Sequence, residues 1–127
     1  VVSQEEFKTW LAEKKEEAAA APDLTPFADL DEAMELGEQT YAGACAVCHG
    51  NNGEGGVGVA FAGSDFATNE EHLDEHIDVL INGRAAMPAF GAQLSPREIA
   101  AVVTYERNAW GNDTGDLIQP QDVQDHE

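Results

Sequence analysis

Cys45-Ala46-Val47-Cys48-His49 is the stretch whose reading decides the fold. Two thiols three residues apart, followed at once by an imidazole, form the C-x-x-C-H pattern of covalent haem attachment. Each thiol can add to one vinyl group on the porphyrin edge, and the next residue presents its ring to the iron. On this reading Cys45 and Cys48 become thioethers of one haem c and His49 is the proximal iron ligand. Other uses of the pattern fit less well. A structural zinc site needs four Cys or His ligands, and this chain has two cysteines, with His72, His76 and His126 at no recognised finger spacing. A thioredoxin-like pair follows a strand in a βαβ pattern, which is missing here. A disulfide across two intervening residues is rare.

If His49 takes one axial position, the other ligand must be soft or nitrogenous and approach from the opposite face of the ring. Met87 is the candidate. It lies in Gly83-Arg84-Ala85-Ala86-Met87-Pro88-Ala89-Phe90-Gly91, a loop-like run in which proline stiffens the backbone just after the thioether. The competing role for Met87 is an ordinary core side chain. Met34, the other of the two methionines, falls in the helix that leads into Cys45. Arg84 is either a propionate partner or a solvated cation. The expected cofactor-binding set is therefore Cys45, Cys48, His49, Met87 and Arg84, with His49 and Met87 on the iron. Two axial ligands leave no open position for a substrate, so no catalytic residue is expected and the domain reads as an electron carrier.

The chain has 127 residues, enough for one domain plus tails. So short a domain buries little core of its own, and a covalently held haem offers a large apolar surface to pack against. The apoprotein is accordingly expected to be largely unfolded. There are 25 acidic residues against 6 basic ones, a net charge of −19. The lysines, Lys8, Lys14 and Lys15, all precede residue 16, and only Arg84, Arg97 and Arg107 follow. A field of that sign excludes nucleic acid as a partner and disfavours anionic lipid. Because acids occur in every segment, adaptation to high salt is favoured over an acidic docking face. No stretch approaches the length of a membrane-spanning helix, and the start, without Met or an apolar leader, reads as a processed or excised soluble piece.

Along the chain, 1–21 reads as a helical tail, with a Ser3-x-x-Glu6 capping box and Phe7, Trp10 and Leu11 as a narrow apolar stripe. Residues 22–32 form a linker with two prolines. Residues 33–112 are the haem-binding domain. Its first helix begins near Asp31 and runs into the haem motif, with Ala33, Gly37, Tyr41 and Ala44 at helical spacing. Gly53, Gly55 and Gly58 match a dinucleotide fingerprint by accident, since no strand precedes them; their expected role is close passage of backbone along the haem edge. A third helix is expected over 68–82, with Leu73, Ile77, Leu80 and Ile81 inward and His72 and His76 on a solvated acidic flank. Ser95-Pro96-Arg97-Glu98 starts the last helix, with Ile99, Val102, Val103 and Trp110 inward. Residues 113–127 are expected to be an extended acidic tail.

With these features in hand, the region from Ala33 to Gly111 resembles a class I cytochrome c. The resemblance implies an all-α fold, helices packed around one covalently bound haem c, in which the first and last helices cross, here with Gly37 and Tyr41 against Val102 and Tyr105. It also implies His/Met ligation and maturation outside the bacterial cytoplasm, hence a periplasmic or other extracytoplasmic location. Members usually carry a proline after the motif whose carbonyl accepts the His Nδ1 hydrogen bond. Gly58-Val59-Ala60 has none, and a carbonyl near Val59 is the expected substitute. A narrower resemblance links Tyr105-Glu106-Arg107-Asn108-Ala109-Trp110-Gly111-Asn112, Gly115-Asp116 and Gln119-Pro120-Gln121-Asp122-Val123 to the end of subunit II of caa(3)-type cytochrome c oxidases. The start, through Phe7, Trp10 and Leu11, is similar to the tail of that subunit's copper-binding domain. This implies redox protein partners, a periplasmic donor and the dinuclear copper centre of an oxidase, with membrane attachment only through the parent subunit and a monomeric soluble piece. The alternative is a freestanding or dehydrogenase-associated carrier, and a ligand sensor or peroxidase is a third class.

Overall fold

The computed structural model describes residues 23–126 apart from Val57 and Ala86. The helix expected over 1–21 lies outside the described residues. Helix α1 spans Leu30–Ala44. It starts where extended Asp29 accepts a hydrogen bond from the Glu32 N–H at 2.9 Å, and Asp31 and Glu32 complement the positive end of the helix. Ala33, Gly37 and Tyr41 form its buried face. One further turn, α2 (Ala46–His49), carries the haem motif and stops at Gly50, whose φ of 87° suits only glycine well.

The helix expected over 68–82 is broken in two. Helix α3 (Asp65–Thr68) is capped by Ser64, a 3₁₀ turn covers Glu70–His72, and α4 runs Leu73–Asn82. Asn69 makes the break, because its side chain accepts the Glu71 N–H at 2.9 Å and offers the backbone an alternative to helix. Helix α5 (Pro96–Asn108) has the expected capping box: Ser95 Oγ accepts from Glu98 N–H at 3.1 Å and Glu98 Oε1 accepts from Ser95 N–H at 3.0 Å. Among the described residues there is no β-strand, only a bridge between Arg84 and Met87.

Helices α1 and α5 cross at Gly37, which sits against the Ala101 carbonyl and the Tyr105 side chain. Tyr41 follows one turn on and meets Tyr105 and Trp110, with ring centroids 5.6 and 5.0 Å away. Trp110 lies beyond the end of α5 in a left-handed conformation, φ 57°, and its ring covers Gly53, leaving no room for a side chain there. Behind the crossing, Ile99, Ala100, Val102 and Val103 are fully buried and close the core against Phe61, Ile77 and Leu80.

The tail 113–127 is helical in its second half rather than extended throughout. Residues Pro120–His126 form a sixth helix, α6, and Ile118 and Val123 are buried. The Ile118 N–H donates to Thr104 Oγ1 at 2.9 Å. Gln119 reaches across to the linker, accepting from Phe27 N–H at 2.8 Å and donating to Phe27 O at 3.2 Å. The linker is thus part of the packed body: Phe27 is buried and the Arg97 guanidinium lies 4.4 Å over its ring. Among the described residues no helix is long and apolar enough to cross a membrane.

A methyl group at Gly37 would approach Tyr105 Cβ to 2.6 Å. Gly37→Ala is expected to destabilise the haem-loaded protein, since overpacking costs about 1–3 kcal/mol and outweighs the roughly 1 kcal/mol that alanine gains in a helix interior. Guanidinium unfolding followed by circular dichroism measures it, and stability equal to the parent would contradict the crossing described.

Candidate haem-binding site

The three motif side chains come from one turn of helix. Cys45 closes α1 and is buried, Cys48 is half-buried on α2, and both are free thiols. His49, at the end of α2, is 8% exposed. Its Nδ1 lies 2.7 Å from the Val59 carbonyl. As Nδ1–H donates to that oxygen, Nε2 is left as the basic nitrogen of the ring. The loop from 50 to 61 is shaped to make this contact: Gly58 N–H donates to Cys48 O at 2.7 Å and Gly55 N–H to His49 O at 2.8 Å. A Cβ on Gly58 would stand 2.6 Å from His49 Cε1, so the glycine is required by the ring itself. Phe61 stacks on the same imidazole, centroids 4.3 Å apart.

Met87 is half-buried against the core, in a loop held by the Arg84–Met87 bridge and by Phe90 N–H to Leu80 O at 2.8 Å. Gly83 has φ 77°, and a Cβ there would stand 2.8 Å from the Met87 carbonyl oxygen. Arg84 turns toward α4, where it donates to Glu75 Oε1 at 2.6 Å. The residues therefore fit a covalent haem on one side completely: two free thiols, one imidazole with its outer nitrogen tied down, and a glycine cradle around it.

His76 departs from the reading given above. It is not on the solvated flank with His72 but buried, 2% exposed, with Nε2 2.8 Å from Glu106 Oε1, itself 1% exposed. Only His72 is at the surface, 3.2 Å from Asp65. The buried Arg107 bonds Ala67 O at 3.3 Å, Thr68 O at 3.4 Å and Asp116 at 2.6 Å. The Asn112 side chain bonds Phe61 O, Glu106 O and Gly63 N–H, fastening the haem loop to the end of α5. Periodicity held the signal for the pair, since His76 is three after Leu73 and four before Leu80, and Glu106 is three after Val103. Burial, and after it the charge of Glu106, push the Cys45 thiol well above its usual range, and the same two causes raise Tyr41, whose hydroxyl donates to Gly50 O at 2.8 Å.

A helical fold built on a C-x-x-C-H turn with its imidazole tied from behind defines a c-type cytochrome. The chain belongs to the cytochrome family described as "Cytochrome C oxidase, cbb3-type, subunit III", which matches residues 32–105. It is 36% identical over 87 residues to cytochrome c6 of Gracilaria tenuistipitata var. liui, covering 67% of this chain and 77% of that protein. It is 33% identical over 101 residues to the cytochrome c subunit of a quinone alcohol dehydrogenase from Gluconacetobacter polyoxogenes, covering 68% of this chain and 21% of that subunit. With the cbb3-type cytochrome c oxidase subunit FixP of Azorhizobium caulinodans it shares 34% over 104 residues, 74% of this chain and 31% of FixP. The chain thus spans only about a fifth to a third of the larger relatives. Among solved structures, cytochrome cL of Methylophaga aminisulfidivorans superposes with a TM-score of 0.53 at 25% identity, covering 74% of this chain and 65% of that one. The chain is a c-type cytochrome domain of the all-α class I fold, with one haem c attachment motif, for electron transfer.

Crowding the ring at Gly58 tests the cradle. Gly58→Ala is expected to strain the His49–Val59 hydrogen bond, make the imidazole less basic and so favour ferrous iron. The reduction potential should rise by up to about 59 mV, a tenfold shift of a one-electron equilibrium. Potentiometry measures it, and an unchanged or lower value would contradict the arrangement.

Proposed function

We propose that the chain moves single electrons through a haem c bonded to Cys45 and Cys48 and ligated by His49 and Met87. The observation that carries this reading is the commitment of His49 Nδ1 to Val59 O, which leaves Nε2 for iron. When bound, the haem supplies a reversible ferric–ferrous couple whose potential a thioether ligand raises. With a haem bound, His49 and Met87 would both be held by its iron and leave no position for a substrate, so outer-sphere transfer would be the role left to the site. Met34 is eleven residues before Cys45 on α1, about 16 Å along the axis, which makes Met87 the methionine for the second position. Arg84 keeps donors beyond the one given to Glu75 and is assigned to a propionate.

In the narrower reading the chain is the haem domain of subunit II of a haem-copper oxygen reductase. It takes electrons from a periplasmic donor and passes them to the dinuclear copper centre of its own subunit. The resemblance carried by residues 105–112, 115–116 and 119–123 supports this. So does the charge pattern: each of the three arginines bonds a carboxylate, and no lysine follows residue 15. A domain tethered to its acceptor works at high effective concentration and has no need of a cationic docking ring. The similarity to alcohol dehydrogenase cytochrome subunits favours a second reading, a carrier fed by an organic substrate oxidised elsewhere.

The test is to identify the polypeptide that carries this chain in the cell, by mass spectrometry of haem-stained bands from membrane and periplasmic fractions. A membrane-bound subunit with a copper-binding cupredoxin module is the expected result. A small soluble haem protein, or a subunit copurifying with a dehydrogenase, would overturn the oxidase reading, and a chain without covalent haem would overturn electron transfer itself.

A further inference from the structure

Reduction of a buried haem places an extra negative charge in a low-dielectric core, where nearby groups that can bind a proton respond. One such group lies beside the site and has no part in ligation. His76 and Glu106, from α4 and α5, pair through Nε2 and Oε1 at 2.8 Å with side chains 3% and 2% exposed. With Nε2–H given to the carboxylate, His76 Nδ1 is the ring nitrogen that finds no partner among the described residues, and it is fully buried. An unpartnered buried imidazole nitrogen next to a buried carboxylate is an expensive arrangement for packing alone, because two apolar residues would fill the space without it.

The pair is connected to the haem site through ring contacts. Phe61 stacks on His49 with ring centroids 4.3 Å apart and on His76 at 6.0 Å, so one aromatic ring contacts both imidazoles. The remaining charged or titratable groups around the pair are directed elsewhere. Arg107 bonds Asp116 and two carbonyls, His72 lies against Asp65 and Glu75, and His126 faces Asp78. Tyr105 turns toward Trp110, and no other cation among the described residues neutralises Glu106.

We propose that the His76–Glu106 pair is a proton-binding site linked to haem oxidation state, so that this cytochrome takes up a proton as it is reduced. The electron comes from the donor and goes to the iron. The proton comes from solvent and goes to Nδ1 of His76, turning a neutral imidazole beside a carboxylate into an imidazolium–carboxylate pair. On oxidation both leave. The net effect is that burial of the electron's charge is balanced by the proton, and the driving force for transfer depends on pH.

The proposal rests on the haem reading above, and the experiment separates the two. The reduction potential of the haem-loaded protein is measured across about pH 5–8, the range in which histidine changes charge, for the parent, His76→Gln and Glu106→Gln. The parent potential is expected to fall with rising pH, towards a limit of a tenfold change in the reduced-to-oxidised ratio per tenfold change in proton activity. His76→Gln should flatten the profile while retaining the low-spin haem spectrum, and Glu106→Gln should move the sloping region to lower pH. A flat profile in the parent, or a slope that survives in His76→Gln, would overturn the proposal and leave the haem reading intact. Absence of covalent haem would overturn both. Should the variants fail to fold, NMR of the parent decides: the His76 ring must stay protonated to higher pH in the reduced than in the oxidised protein, and identical behaviour in the two states refutes the linkage.

Discussion

The hydrogen bond from His49 to the Val59 carbonyl sets the terms for the rest of the molecule. An imidazole that is to face iron with one nitrogen must have the other held, and the holding group must come from outside its own helix. The chain meets this with a loop that leaves α2 at Gly50, returns through Gly58 against the face of the ring, and delivers a carbonyl that an ordinary proline-bearing loop would have stiffened. Lacking the proline, the loop is fastened at its far end instead. Asn112 bonds Phe61 O and Gly63 N–H, Trp110 covers Gly53, and both belong to the segment just past α5. The proximal side is therefore rigid because the last helix and its trailing turn hold it.

That dependence explains why the sequence beyond α5 is so specific. Arg107, Asn108 and Asn112 are buried or half-buried polar groups with backbone carbonyls as partners, which is how irregular chain is satisfied away from water. The acidic tail then folds back as α6 and binds the linker through Gln119 and Phe27. The three arginines are each matched to a carboxylate, so the excess negative charge is carried by the outer face with little to offset it. Exposed acids at that density repel one another, and salt screens the repulsion.

Much of the site was legible beforehand because its chemistry is local. Two cysteines and a histidine lie within about a turn of one another, the Ser95–Glu98 capping box is equally local, and Gly37 and Tyr41 share one helical face, while their crossing with Val102 and Tyr105 comes from the family resemblance. What escaped the reading depends on partners far along the chain. Phe27 and Gln119 are 92 positions apart, His76 and Glu106 are 30 apart, and Arg84 is drawn to Glu75 by a turn of α4 that spacing does not reveal. His76 has solvated sequence neighbours, Glu75 and Asp78, which mask that its own position falls on the apolar stripe between Leu73 and Leu80. In the tail, Ile118 and Val123 are too few among acids to signal a helix without the surface they cover.

The proposed electron transfer requires His49 and Met87 to share one iron. The absorption spectrum of the oxidised, haem-loaded protein tests this most directly. A low-spin spectrum with a weak sulfur-to-iron charge-transfer band in the red is the predicted result, because it appears only when a thioether sulfur is bound. A high-spin spectrum, with an open axial position, would contradict the account and make a ligand sensor or peroxidase the better description.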